Sequence, residues 1–277
     1  MGRAKSKRHS PIDDTDAVRD VGALAHYEDP AYYDRAYASR THDVAYYVGI
    51  ARRAKGPVLE YGVGNGRVAL AIARAGVEVV GIDASGPMLE SLAERVAREP
   101  KALQRRVHAV RGDMRSKRLR RKFPLVIAPF NTVLHLYERE DIEAFFACAR
   151  AHLAPKGRFV FDFSLPSPQD LSRDPGKRVS APRFRHPTTG AVVRYTERFE
   201  YHPLRQLLVV WMEYCPADGG ESWVVPLSHR QFFPKEMEAL LHYNGFTEIE
   251  FSGDFSDDAP TDETDSLVVS CRSGSRR

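Results

Sequence analysis

The sequence predicts an α/β fold built on a mostly parallel sheet, and three observations carry that prediction. The short apolar run Val58-Leu59-Glu60-Tyr61 passes directly into a glycine loop, Gly62-Val63-Gly64-Asn65-Gly66, which opens a helical stretch over 67–74. A second apolar run, Val79-Val80-Gly81-Ile82, ends in Asp83. Strand-like and helix-like segments then keep alternating as far as Phe163, the pattern of βαβ units that pair parallel strands.

The glycine loop organises the rest. Glycine at three alternate positions lets backbone pass close to a bound molecule, and the first N–H groups of the following helix point toward it. Asp83 can take both hydroxyls of a ribose from the end of the next strand, so a nucleotide-like cofactor is expected here. A tight strand-to-helix turn without a ligand is the competing reading, and Asp83 weighs against it. The dinucleotide pattern G-x-G-x-x-G needs a glycine where this chain has Arg67.

Taken in order, residues 1–20 are polar and charged and are expected to be a mobile basic tail. From Asp29-Pro30 to Lys55 the pattern is helical and aromatic, broken near Ser39 to Thr41, and Tyr33 and Tyr37 precede that break, where a ring face can meet a cation. Ser85 caps a helix with Pro87 in its first turn, and Met88 on that helix is either core or the cover of a purine ring. A strand at 107–110 leads to Gly112-Asp113-Met114, which places Asp113 at the sheet edge of Asp83 as a candidate acceptor for an exocyclic amine. The fourth strand, 125–128, runs into Pro129-Phe130-Asn131-Thr132-Val133-Leu134-His135-Leu136, where an Asn, a Thr and a His converge on a strand end. A helix at 138–153 and a strand at 158–163 complete the core expected over 21–165.

Beyond Leu165 a Pro-, Arg- and Ser-rich loop gives way to period-two patterning. Three antiparallel strands at 191–201, 206–215 and 222–232 are expected, an insertion over 166–232 that serves as a lid over the substrate. Residues 233–277 supply a last helix from Pro234 and two final strands.

Hydrophobic residues make up 43% of the 277 and charged residues 28%, a range that excludes neither an enzyme nor a binding module. There is no apolar run long enough to cross a bilayer and no signal-peptide core near the N-terminus, so a cytoplasmic setting without membrane association is expected. Cys148, Cys215 and Cys271 are far apart and show no metal-ligand spacing, so buried thiols and no metal are expected. The net charge of +4 is concentrated in the tail and in 111–122, which reads as a solvated face rather than a nucleic-acid surface.

With these residues in hand, the chain from about residue 27 onward resembles the class I S-adenosylmethionine (SAM)-dependent methyltransferases. Glu60 before G-x-G-x-G matches their first motif, and Val80 to Ser85 with Met88 matches their ribose and adenine segment. The nearest likeness is to glycine N-methyltransferase and related small-molecule N-methyltransferases. That resemblance implies a Rossmann-like fold: a seven-stranded mostly parallel sheet, helices on both faces, and an antiparallel insertion after strand five. It also implies SAM as cofactor. Tyr33, Arg40, Glu60, Gly62, Gly64, Gly66, Asp83, Ala84, Met88, Asp113, Met114, Pro129, Phe130 and His135 would hold it, with Arg40 on its carboxylate. Asn131, Arg194, Glu213, His229 and Arg230 would shape the substrate pocket. Transfer to an amine needs little beyond proximity, which leaves His135 as a weak candidate for a base. The arginine that clamps glycine in that enzyme has no match in Phe163-Ser164-Leu165. Rival readings are an RNA or protein methyltransferase docking through 111–122, or a non-catalytic SAM-binding regulatory subunit. The sequence leaves the oligomeric state open.

Overall fold

The computed structural model describes residues 15–274. Its main sheet has seven strands, β1 (Val58–Tyr61), β2 (Val79–Asp83), β3 (Val107–Arg111), β4 (Phe123–Ala128) and β5 (Leu153–Ser164), then β10 (Phe246–Gly253) and β11 (Ser266–Ser273) near the C-terminus. A second sheet between them holds β6 (Arg178–Arg185), β7 (Val192–His202), β8 (Leu207–Pro216) and β9 (Trp223–Arg230). The helices are α1 (Thr15–Gly22), α2 (Pro30–Tyr37), α3 (His42–Arg53), α4 (Ala69–Arg74), α5 (Gly86–Ala97), α6 (Lys101–Gln104), α7 (Arg139–His152), α8 (Pro168–Leu171) and α9 (Pro234–Tyr243).

The main sheet runs β10-β11-β5-β4-β1-β2-β3, all parallel except β11, which is antiparallel to both β5 and β10. The order reverses at β1 and β4, which sit side by side, so a crevice opens at their carboxyl ends. Both faces are buried because successive side chains point to opposite sides. Leu59, Tyr61, Val126, Phe159 and Phe161 pack against α7 and α9 on one side. Val58, Leu125, Ile127 and Val160 pack with Tyr47 and Ala51 of α3 and with α4 on the other. This matches the expected Rossmann-like methyltransferase fold.

Two local expectations are corrected. The stretch expected as a tail to residue 20 is already helical from Thr15, with Val18 buried beside Leu207 and Val209 of β8; the remainder of that tail, 1–14, lies outside the described residues. An eight-residue helix has little stability of its own, so α1 is ordered by docking its Val18–Gly22 face on the insertion sheet. The insertion sheet has four strands, because β6 pairs antiparallel with β7 where a loop was expected. β6 is an edge strand with mostly exposed side chains, which removes the alternation that would have revealed it.

Candidate active site

The glycine loop is built as its residue types require. Gly62, Gly64 and Gly66 have φ of 66°, 53° and 83°, in the left-handed region. A Cβ on Gly62 would stand 2.5 Å from Thr132 Oγ1, and one on Gly66 would collide with Leu92. The loop folds back on Asp83, whose Oδ2 accepts from Gly64 N–H at 2.7 Å and whose Oδ1 accepts from Ser85 N–H at 2.8 Å. Burial pushes the Asp83 carboxyl up and these N–H bonds pull it down. Each oxygen keeps a lone pair for a ligand hydroxyl.

The loop after β4 forms the facing wall. Phe130 and Asn131 are both left-handed, at φ 59° and 62°, a strained pair that needs support. Asp162 of β5 gives it, accepting from Phe130 N–H at 2.8 Å, Asn131 N–H at 3.2 Å and Tyr47 Oη at 2.6 Å. Burial raises the Asp162 carboxyl to about 6. The Asn131 amide is occupied by Ser164, donating to its Oγ and accepting from its N–H.

Between these walls lies a cavity of about 470 Å³. The glycine loop contributes Gly62 and Gly64, β2 and α5 contribute Asp83, Ala84 and Met88, and the end of β3 contributes Asp113 and Met114. Pro129, Phe130 and His135 come from the β4 loop and Tyr33 from α2. Three residues expected with them stand apart. Arg40 is exposed, its guanidinium carbon 5.7 Å from the Phe130 ring centroid. Arg67 is the guanidinium packed closer to that ring, at 4.2 Å, and it is ion-paired with Asp43. Gly66 serves helix packing, and Glu60 lies under the loop, 1% exposed, its carboxyl pushed well above the usual range by burial and its Oε2 without a partner.

The substrate residues expected from the insertion do not converge. The β8–β9 register pairs Leu208 with His229 and Leu207 with Arg230, so His229 and Arg230 point to opposite faces of that sheet. His229 faces the core, its ring 5.1 Å from that of His135. Arg230 is ion-paired with Glu236 at 2.7 Å, Glu213 is held by Arg178 and Arg198, and Arg194 is exposed. A period-two pattern gives the alternation but not which face is covered.

Several cavity residues carried no sequence signal. α1 brings Arg19 and Asp20 to the cavity, and the 3₁₀ turn Ala25–Tyr27 brings Tyr27. Arg19 reaches Glu138 at 2.9 Å, and its carbonyl accepts from Ser228 Oγ of β9 at 2.8 Å, which ties α1 to core and insertion together. The Asp113 carboxylate is already taken by Arg115, which also reaches Asp141 at 2.6 Å and holds Asp113 below its ordinary value. Three more cations of the basic run have partners within the fold: Arg118 donates to Ala147 O, Lys122 to Ala151 O and Leu153 O at the end of α7, and Arg121 pairs with Glu78, while Arg111 and Arg120 are exposed.

His135 sits between two phenols, its Nε2 2.7 Å from Tyr27 Oη and its Nδ1 3.2 Å from Tyr137 Oη. Burial lowers its imidazole to about 4, so the ring is neutral at pH 7. His26 is lowered to about 4 by the same cause, and its Nε2 lies 2.9 Å from Tyr37 Oη.

Residues 58–157, the core from β1 to β5, match a family described as "Methyltransferase domain". A curated relative from a Streptomyces species, cypemycin N-terminal methyltransferase, is 34% identical over 125 residues, 45% of this chain and 49% of that protein. The chain thus aligns with about half the length of that relative. The CcbJ methyltransferase from Streptomyces caelestis superimposes with a TM-score of 0.73 at 27% identity, covering 85% of this chain and 90% of the other. The glycopeptide N-methyltransferase MtfA in complex with SAM gives a TM-score of 0.59 at 22% identity, covering 84% and 87%, a likeness of fold. Sequence motif, sheet order and these likenesses define a class I SAM-dependent methyltransferase domain, and SAM is the cofactor of that class. Among the described residues no helix is long and apolar enough to cross a membrane.

Proposed function

We propose that this protein is an enzyme that transfers the methyl group of SAM to an amine nitrogen of a small molecule. The observation that carries the reading is the convergence, in one cavity, of the Asp83 carboxylate and the glycine loop at one end with the Tyr27–His135 pair at the other. The residues fit the cofactor. Gly62 and Gly66 have no room for a side chain, Gly62 and Gly64 line the cavity as bare backbone, and Asp83 keeps free lone pairs beside them.

When bound, SAM supplies a methyl group on a positively charged sulfur. Asp83 would hold its ribose hydroxyls, Met88 and Met114 would flank its base, and the Tyr33 and Phe130 rings would face its cationic centre. α1 and Tyr137 line one side of the cavity, and the acceptor needs only to be brought in line. The names of the relatives support nitrogen as the acceptor atom, since two of the three are N-methyltransferases.

The test is calorimetric titration with S-adenosylhomocysteine, followed by mass spectrometry of a panel of small amines incubated with protein and SAM. Binding together with a gain of one methyl group on an amine is the expected result. Binding of NAD with no response to either adenosyl compound would overturn the reading.

A further inference from the structure

The Tyr27–His135–Tyr137 chain has a direction that its neighbours impose. Ser228 Oγ donates to the Arg19 carbonyl at 2.8 Å, so its own proton is committed. Tyr137 Oη lies 2.8 Å from Ser228 Oγ and 3.0 Å from the Ser228 carbonyl, so with the serine proton committed its own proton goes to Ser228, which leaves the Tyr137 oxygen as an acceptor for His135 Nδ1–H. His135 Nε2 is then the bare nitrogen of a neutral ring, and across the 2.7 Å contact the Tyr27 hydroxyl donates to it. Tyr27 is left with oxygen lone pairs and no donor. It stands at the cavity, with its backbone carbonyl taking Ser85 Oγ at 3.4 Å beside Asp83 and its phenol reaching the β4 loop. Its side chain therefore spans the space between the ribose-binding carboxylate and the Phe130–His135 wall.

We propose that Tyr27 is the residue that contacts the methyl acceptor, its phenolic oxygen accepting the N–H of a neutral primary or secondary amine, with His135 the positioning residue that keeps this oxygen an acceptor. The proposal rests on the methyltransferase reading and names its substrate class. An N–H held by Tyr27 fixes the amine's rotation and leaves its lone pair to be aimed at the methyl carbon. A tertiary amine has no N–H to offer, so methylation stops at the tertiary stage. His135, with its imidazole at about 4, is too weak a base to take the amine proton, which stays on nitrogen and passes to water with the product.

The test has an arm that needs no ligand. In histidine-labelled protein, nitrogen NMR should show His135 Nδ1 protonated and Nε2 bare, with the Nε2 signal moving in Tyr27→Phe; the opposite tautomer overturns the proposal. Tyr27→Phe should keep the dissociation constant for S-adenosylhomocysteine within about threefold and lower kcat for the amine about tenfold or more. His135→Gln, which still offers an acceptor near the position of Nε2, should retain most of the kcat that His135→Leu loses. Circular dichroism melts establish that each variant is folded. A primary amine should accumulate mono- and dimethylated products. A trimethylated product, or an unchanged kcat in Tyr27→Phe, sinks the proposal and leaves the methyltransferase reading standing. A wild-type protein that binds S-adenosylhomocysteine yet methylates no amine sinks both.

Discussion

Asp83 carries the clearest single-residue consequence. Its carboxylate is the one cavity group expected from the spacing of the second strand and also found with free lone pairs on the glycine loop. At about a hundred times its dissociation constant a ligand adds about 2.7 kcal/mol to folding stability, so wild-type protein should show a clear upward thermal shift with S-adenosylhomocysteine and Asp83→Ala almost none. An equal shift in both would remove Asp83 from the site. The buried imidazoles make a second residue-scale prediction. His26 and His135 fall from an ordinary 6.5 to about 4 in the folded chain, so the unfolded chain takes up protons first as the pH drops. Their stabilising contribution is complete above about 6.5 and is lost on the way down to about 4, at up to ~1.4 kcal/mol per pH unit for each ring. Asp162, raised to about 6, and Glu60 and Asp83, also raised by burial, work in the opposite sense, because the folded form protonates first. His152, His186 and His229 are lowered as well, and five rings outweigh three carboxyls, so the urea midpoint should fall between about pH 6.5 and 5. A flat or rising midpoint would show that those rings are not buried neutral.

Among the elements, α1 is the one whose role is carried least by its own sequence. It is fastened by Val18 on β8, by Arg19 on Glu138 and Ser228, and by Gly22, where a Cβ would come within 2.8 Å of Ser228 Oγ. Gly22→Val should therefore push α1 off β9 without altering a cavity-lining residue. The buried Val18 side chain is worth about 1.5 kcal/mol, so the global melting temperature should hardly move. Hydrogen exchange should instead quicken at α1, and S-adenosylhomocysteine should dissociate faster. Unchanged exchange would mean that the contact yields elsewhere. β6 teaches the same lesson from the other sheet: an exposed edge strand declares itself through its partner's hydrogen bonds, not through its own pattern.

At the scale of the whole molecule, part of the positive charge along 111–122 is engaged within the fold. Arg118 and Lys122 are spent on carbonyls at the end of α7, where a cation complements the helix dipole, and Arg121 on Glu78. Replacing Arg118 and Lys122 together with Gln should lower stability by on the order of 1 kcal/mol and leave retention on an RNA column unchanged. A large loss of RNA retention, steep in salt, would restore the docking reading for this stretch.

What the sequence determined by itself is the part written in local chemistry. The alternation of strands and helices, the three glycines that only a left-handed loop can use, and Asp83 at the next strand's end together specified the Rossmann-like core and the cofactor end of the cavity. Those signals are legible because period and backbone conformation are properties of neighbours in the chain. The Tyr27–His135 end of the cavity belongs to the tertiary structure. Tyr27 meets His135 across 108 positions, Asp162 supports a strained pair on another strand, and the register of β8 with β9 sets His229 beside His135 and Arg230 on the opposite face with Leu207. Such pairings are set by which surfaces find burial when the whole chain collapses, and a one-residue slip in register would have exchanged the two faces with no change in composition or period.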